Sequence, residues 1–133
     1  MTRLAFPVFA TALAAFALLA APAHAACSCT KYESVAQFAQ FNDVIFKGKA
    51  VSSKTEYGVT ITQFQVLEKL KGEPGQTVAI AHPAPGPNAC GGVAFKPGQT
   101  LIVVAQGLVE DLATTSCQLD AYPEADLRGA LEQ

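Results

Sequence analysis

Four cysteines constrain this chain more than any other feature of its sequence. Cys27 and Cys29 flank a single serine, whereas Cys90 and Cys117 lie far downstream. A bridge between Cys27 and Cys29 would close a ring too small for relaxed disulfide geometry, so two crossed pairings with the later cysteines remain. Either pairing ties the first cysteines to the middle and the end of the domain. The sequence therefore predicts a rigid segment where chain ends ordinarily fray.

Residues 1–25 have the pattern of a secretory signal peptide. Arg3 precedes an almost unbroken apolar run over 4–21, and Ala23-His24-Ala25 has the small-x-small form that signal peptidase cuts after. A retained membrane anchor fits less well because Pro7 interrupts the run, and an acylated lipoprotein fits less well because His24 replaces a branched apolar residue. We therefore expect a secreted or periplasmic protein with no membrane attachment after cleavage.

The remaining chain of about 100 residues has room for one small domain, over 26–122, followed by a helical tail over 123–133. Loss of Arg3 changes the net charge from −2 to −3, and no basic block is present. Nucleic acid is therefore not expected as a partner. Four cysteines in an exported chain favour two disulfides over a zinc site, because the paired two-residue gaps of zinc ribbons are missing. We expect no cofactor, no metal of the protein's own, and a monomer.

Hydrophobic periodicity predicts five short strands and two helices. Ser34 is a candidate cap for the first helix, Gly48 marks a bulge or bend in the first strand, and a one-residue slip near Thr62 suggests another bulge in the second. The predicted helices cover 33–41 and 124–133, and the predicted strands cover 43–52, 59–66, 77–81, 100–105 and 114–119.

These elements predict an all-β fold with minor helices, in the form of a closed or nearly closed five-stranded barrel. The oligonucleotide/oligosaccharide-binding (OB) fold is the natural candidate, although periodicity alone does not separate it from a small sandwich. The unbroken apolar run over 100–105 indicates a strand covered on both faces. The segment 82–92, rich in proline and glycine, is predicted to be a loop held by Cys90, with His82 facing solvent. Tyr32, Tyr57 and Tyr122 could form an aromatic binding surface, but isolated tyrosines usually cap cores.

Several motifs together resemble a known family. They are the Cys-x-Cys start of the mature chain, the strand DVIFKGKAV over 43–51, the KLKG motif over 69–72, the NACG motif over 88–91, and the hydrophobic strand that precedes Cys117. This pattern resembles the amino-terminal, netrin-type domain of the tissue inhibitors of metalloproteinases, which is built on an OB barrel. The likeness extends from residue 26 to about residue 119.

The resemblance implies that Cys27 pairs with Cys90 and that Cys29 pairs with Cys117. It also implies an inhibitory mechanism, in which the free α-amine and the carbonyl oxygen of the first cysteine chelate the catalytic zinc of a metalloprotease. The next residue, here Ser28, then points into the specificity pocket of the protease. The residues expected to form this inhibitory ridge are Cys27, Ser28, Cys29, Thr30, Asn88, Ala89 and Cys90.

The cleavage site decides whether this chemistry is possible. Cleavage after Ala25 leaves Ala26 in front of Cys27, whose nitrogen is then an amide without a free lone pair, whereas cleavage after Ala26 restores the amine. The expected partner is a zinc metalloprotease or another exported protein. The alternative function is a non-inhibitory netrin-type module that binds a protein or a glycan. An enzyme is the least expected class, because no catalytic constellation is recognisable.

Overall fold

The computed structural model describes residues 28–87 and 90–133. Within these ranges the predicted helices over 33–41 and 124–133, and the predicted strands over 43–52, 59–66, 77–81 and 100–105, are confirmed with shifted ends. In chain order the elements are α1 (Val35–Phe41), β1 (Val44–Glu56), β2 (Val59–Lys71), β3 (Thr77–Pro83), β4 (Thr100–Ala105), β5 (Leu112–Ala113), α2 (Ser116–Leu119) and α3 (Glu124–Leu131).

The strands form one five-stranded mixed sheet in the order β4-β1-β2-β3-β5. β1, β2 and β3 are an antiparallel meander, β4 adds to β1 in antiparallel fashion, and β5 pairs with β3 in parallel. Tyr57 and Gly58 form the two-residue turn between β1 and β2, and both have positive φ angles. That combination matches the right-handed twist of the long hairpin.

The sequence predicts a closed or nearly closed barrel, and the sheet is not a closed one. Its two edges meet in one described bridge just beyond the end of β4, where the backbones of Gln106 and Ala113 exchange two hydrogen bonds of 2.9 Å. β5 is two residues long, so it offers too little ladder to join β4 along its length. What is established is a sheet-rich fold with minor helices, and the finer OB assignment stays a prediction.

One face of the sheet encloses the inner core. Three phenylalanine rings form its centre, with Phe64 packed edge-on against Phe46 at 6.0 Å and against Phe95 at 5.1 Å between ring centroids. Edge-to-face packing of this kind suits the charge distribution of aromatic rings. The buried members of this inner cluster are Val44, Phe46, Ala50, Phe64, Val78, Ile80, Phe95, Val103, Ala105 and Leu112.

The opposite face of β1 and β4 is covered by the helices α1 and α3. This outer cluster contains Phe38 and Ala39 from α1, Ile45 from β1, Val104 from β4 and Leu127 from α3. Val104 is buried there, while the preceding residue of β4 belongs to the inner cluster. The prediction that this strand is covered on both faces is therefore confirmed.

The two ends of α1 are fixed by different contacts. At its start the Gln37 amide donates to the Ser34 hydroxyl at 3.1 Å, which confirms the predicted cap. At its end the Lys71 ammonium, reaching across from β2, donates to the carbonyls of Ala39 at 2.6 Å and Asn42 at 2.5 Å. Carbonyl oxygens at a helix end lack partners within the helix, so a cation there stabilises the helix and ties it to the sheet.

We expect Lys71→Met to lower the free energy of unfolding by about 1–3 kcal/mol, because it removes charged hydrogen bonds while keeping the apolar stem. Urea unfolding followed by circular dichroism measures the effect. Lys69→Met is the matched control, since the Lys69 ammonium pairs with the exposed Glu73 carboxylate and should contribute little. Equal destabilisation by the two substitutions would contradict this account of the α1 end.

The register of β2 differs from the prediction near Thr62. There is no slip at this position, and regular alternation turns Thr60, Thr62 and Phe64 inward while Val59 and Ile61 are about half exposed. A shift in the β1–β2 register does occur beside Gly48, as predicted, and others follow Ile45 and Ala50.

Hydroxyl pairs across the hairpin explain why threonines lie inward. Thr62 is 2.6 Å from the Ser53 hydroxyl, and Thr60 is 2.7 Å from the Thr55 hydroxyl. Each polar group therefore has a partner, which removes most of the cost of turning it away from water.

The predicted strand over 114–119 is wrong. The fifth strand ends at Ala113, and the chain then turns into the short helix α2, which carries Cys117. Thr114 still continues the ladder, because its amide donates to Ala81 and its hydroxyl to the Val104 carbonyl. Thr115 is extended and begins the helix, so the β-prone residues of this segment cap a helix instead of extending a strand.

Candidate functional site

The described part of the predicted ridge is Ser28, Cys29, Thr30 and Cys90, and all four residues are exposed. Cys27, Asn88 and Ala89 lie outside the described residues. The four described residues together are named the amino-terminal ridge.

Cys29 is anchored to α2 by a disulfide with Cys117, the pairing that the resemblance implies. The two Cα atoms are 5.4 Å apart, and the residues are separated by 88 positions in sequence. Cys90 is disulfide-bonded as well. Its predicted pairing with Cys27 lies outside the described residues. The Cys29 bridge holds an exposed segment against the folded domain.

The Cys90 loop reaches the same anchor through its backbone. The Gly91 carbonyl accepts a hydrogen bond of 3.1 Å from the Ser116 amide, one residue before Cys117. Gly91 has a φ of +74°, and a Cβ built there would lie 2.9 Å from the Thr115 Cβ. Only glycine allows this conformation and this approach together. The two parts of the ridge are therefore attached to one short segment, 115–117.

That segment is in turn fixed to α1 by a polar network. The Gln118 amide donates to the Asn42 side-chain oxygen at 3.0 Å, and the Asn42 amide donates to the Phe38 carbonyl at 2.8 Å. Asn42 is fully buried, so an unsatisfied amide there would be costly and the network has one favoured arrangement. The ridge is therefore held in place by α2, and α2 is held in place by its contacts with the end of α1.

Two depressions flank the Cys29–Cys117 disulfide. One, of about 480 Å³, lies between the disulfide and the link from α2 to α3, and Lys31, Asp120 and Tyr122 line it together with the disulfide. The other, of about 290 Å³, is lined by Ser28, Gln106 and their neighbours. The Cys29–Cys117 disulfide therefore lines both depressions.

His82 contradicts its predicted place in a solvent-facing loop. It lies near the end of β3, is only 2% exposed, and its Nε2 is 2.7 Å from the Thr62 hydroxyl. Its ring packs edge-on against Phe95, and its Nδ1 has no hydrogen-bond partner among the described residues. The loop that carries Cys90 starts just beyond it and is closed by a hydrogen bond from the Val93 amide to the Pro83 carbonyl.

Burial lowers the pKa of His82 below its ordinary value of 6.5, against a smaller opposing effect of the backbone groups of Pro83 and Val93. The folded state therefore binds a proton less readily than the unfolded state. We expect the contribution of His82 to the free energy of unfolding to be fully present above about pH 6.5. This contribution is lost as the pH drops from 6.5 toward the lower pKa of His82 in the folded state. One proton of difference corresponds to at most about 1.4 kcal/mol per pH unit.

Urea unfolding between about pH 5.5 and 7.5, above the range where ordinary carboxyl groups titrate, measures this dependence. His82→Gln is the matched control, because it keeps a polar group near Thr62 but does not titrate. A similar decline of stability with falling pH in both proteins would show that His82 is not its source.

The tip of the β1–β2 hairpin presents apolar side chains that contact little of the rest of the chain. Tyr57 is fully exposed at the turn, and Val51, Val59 and Ile61 are each about half exposed. A tyrosine with φ of +53° is uncommon, because side chains other than glycine, asparagine and aspartate rarely adopt that region. Tyr32 and Tyr122 pack against Phe38 as expected for tyrosines at a core, whereas Tyr57 does not.

Sequence reasoning missed the residues that support the ridge. Thr115, Ser116 and Gln118 hold it in place, and the available signals were the glycine pair after Cys90 and the Thr-Thr-Ser run, which is typical of helix starts. The described residues contain no group of three histidine, cysteine, aspartate or glutamate side chains placed to hold a metal ion. Each helix in 28–87 and 90–133 is too short or too polar to reach across a bilayer.

No protein-family model matches the chain, and a search of the curated proteins finds no match.

Proposed function

We propose that this protein is an exported inhibitor of zinc metalloendopeptidases that acts through the amino-terminal ridge. The proposal rests on the likeness of the cysteine pattern to the tissue inhibitors of metalloproteinases. The observation that carries it furthest is the Cys29–Cys117 disulfide, which keeps Ser28 and Thr30 exposed beside the Cys90 loop.

The chemistry of inhibition follows from the open coordination position of a catalytic zinc ion. A neutral amine offers a lone pair to that position, and an α-amine with an ordinary pKa of about 8 loses its proton to zinc at modest cost. The Cys27 amine and carbonyl oxygen would then occupy the place of the attacking water. Ser28 would enter the adjacent specificity pocket, where its small side chain favours proteases with a polar or narrow pocket.

Rigidity of the ridge would contribute to affinity. A flexible terminus loses conformational freedom when it binds, and this loss subtracts from the binding free energy. The disulfide to α2, the Gly91–Ser116 hydrogen bond and the buried Asn42 network order the ridge before any partner arrives.

The position of the mature amino terminus provides the sharpest experiment. Two proteins are made with defined ends, one starting at Cys27 and one at Ala26, and both are assayed against a panel of zinc endopeptidases. We expect the Cys27 form to slow at least one protease and the Ala26 form to be inactive, because its extra residue blocks the amine. Equal unfolding free energies in urea serve as the control for folding.

Failure of the Cys27 form against the whole panel would count against inhibition. Equal inhibition by both forms would instead show that inhibition does not require a free α-amine on Cys27. The intact mass of the protein exported by its own cell then identifies which of the two forms occurs.

The exposed hairpin tip favours a second candidate, a non-inhibitory module that binds a protein or a glycan. Tyr57 offers a fully exposed aromatic ring, and such rings stack on sugar rings and on apolar partner surfaces. A glycan array probed with the Ala26 form and with its Tyr57→Ser variant tests the glycan case. Saturable binding that the variant loses supports it, and binding that Tyr57→Ser leaves intact argues against it.

A further inference from the structure

A cleft of about 520 Å³ lies between β4, the segment 92–95 and the link from α2 to α3. Apolar side chains at the edges of the two clusters, here called its floor, share the lining of the cleft with polar groups such as Gln99 and Ser116. Val93, Leu101 and Leu119 belong to the edge of the inner cluster, whereas Ile102 and Tyr122 belong to the edge of the outer cluster. All five side chains are only half buried, so the described elements leave the floor partly open to solvent.

The charged side chains that line the cleft are both acidic, Asp120 and Glu124. Glu124 is already engaged, with its carboxylate 2.8 Å from the Arg128 guanidinium and 3.6 Å from the Lys47 ammonium. The Arg128 hydrogen bond holds the pKa of the Glu124 carboxyl below its ordinary value. Asp120 is exposed at the rim, and its carboxylate makes no hydrogen bond or ion pair with the described residues.

An apolar floor beneath a free carboxylate matches one kind of occupant. The side chains of lysine and arginine carry an aliphatic stem that packs on apolar surface and a cationic end that stays at the rim. A purely apolar ligand would make no contact with the exposed Asp120 carboxylate, and a small cation would leave the floor uncovered. The cleft therefore has the shape and charge for a long basic side chain.

We propose that this cleft binds a lysine or arginine side chain of a partner polypeptide, with Asp120 as the charged contact. Ser116 and Asp120 also line the depression beside the Cys29–Cys117 disulfide, so the cleft opens next to the amino-terminal ridge. A polypeptide bound there would pass close to the ridge. The inference does not depend on zinc chelation, because neither the cleft nor Asp120 involves Cys27.

Three blocked tripeptides test the proposal by titration against the isotopically labelled full mature protein in NMR. They are acetyl-Ala-Lys-Ala-amide, its arginine counterpart, and a norleucine counterpart that keeps the stem but lacks the charge. We expect the two basic peptides to cause saturable shifts at Leu101, Ile102 and Asp120. The norleucine peptide should bind about fivefold more weakly, the order of difference that one exposed ion pair produces.

Three variants complete the design. Asp120→Asn should weaken binding of the basic peptides to the level of norleucine, whereas Asp111→Asn, at an exposed position outside the cleft, should leave it unchanged. Ala94→Phe places a ring in the cleft from an exposed position and should abolish binding of all three peptides. Equal affinity for lysine and norleucine, an unchanged Asp120→Asn variant, or shifts spread over the surface without saturation would each overturn the proposal.

Discussion

Replacing Cys29 and Cys117 together with serine is expected to lower the free energy of unfolding by about 2–5 kcal/mol. The disulfide joins residues separated by 88 positions, and a cross-link over so long a loop restricts the unfolded chain strongly. The loss is measured by urea unfolding followed by circular dichroism, since the chain has no tryptophan to report fluorescence. A loss below about 1 kcal/mol would show that the bridge adds little to stability.

The same double variant should free the ridge before it disturbs the sheet. The NMR order parameter of the Thr30 amide is expected to fall toward that of a flexible segment, while the amides of Phe46 and Val103, in the paired strands β1 and β4, stay protected from hydrogen exchange. Uniform loss of protection would instead show that the bridge stabilises the whole domain as one unit. Wild-type protein treated with a reductant gives a further comparison, in which the disulfide of Cys90 is lost together with the Cys29–Cys117 bridge.

Phe38→Ala is the second large effect that we expect, with a loss of about 3–5 kcal/mol in the free energy of unfolding. Phe38 is 1% exposed, and its ring lies 5.2 Å from Tyr32 and 5.1 Å from Tyr122 between centroids. Its removal would leave a cavity and take away the support of both tyrosines. Tyr32 precedes α1 close to the ridge, and Tyr122 lines the depression beside the disulfide.

Phe41→Ala in the same helix is the matched control. Phe41 is 59% exposed and touches Tyr32 at a centroid distance of 5.8 Å, so we expect a loss of less than about 1 kcal/mol. Chemical denaturation of both variants under identical conditions measures the difference. Comparable losses would mean that α1 is held mainly by its end contacts, such as those of Lys71, instead of by the buried ring.

The sequence was sufficient to predict those elements in which a single hydrophobic periodicity dominates. The spacing of apolar residues and the Ser34 hydroxyl predict α1, and the apolar run in β4 predicts burial on both faces, because each signal depends on neighbours in sequence. The exposed Phe41 is the exception within α1. Val35, Phe38 and Phe41 are three residues apart, and each step of three residues rotates the position around the helix axis. Phe41, the third of them, therefore no longer lies on the buried face.

The errors arose where distant contacts decided the outcome. The sequence of β2 favours Val59 and Ile61 as inward residues, but the hydroxyl of Thr62 finds Ser53 and His82 across neighbouring strands and lies inward instead. No local pattern reports such pairing. His82 was misplaced for the same reason, since its burial depends on Phe95, thirteen positions later in the sequence.

The sequence predicted the cysteines of the candidate site, but it did not predict the residues around α2 that hold the ridge in place. The cysteine pattern and its resemblance to a known family pointed to the exposed ridge and to the Cys29–Cys117 bridge. The helix α2 was missed because the β-branched Thr114 and Thr115 were interpreted as part of a strand, and the contact between Ser116 and Gly91 at the start of the helix spans 25 positions. Asp120 had no signal in the sequence, because the cleft that it borders is formed by segments distant from it in sequence.

The long span of the Cys29–Cys117 bridge also sets an order in time. Chains are made from the amino terminus at about 5–20 residues per second, so the Cys29 thiol emerges roughly 4–18 seconds before its partner. By then residues 44–83, which contain the β1–β2–β3 meander, have all been made. The bridge therefore cannot form on a partial chain, because any chain that ends before residue 117 lacks the thiol that anchors Cys29.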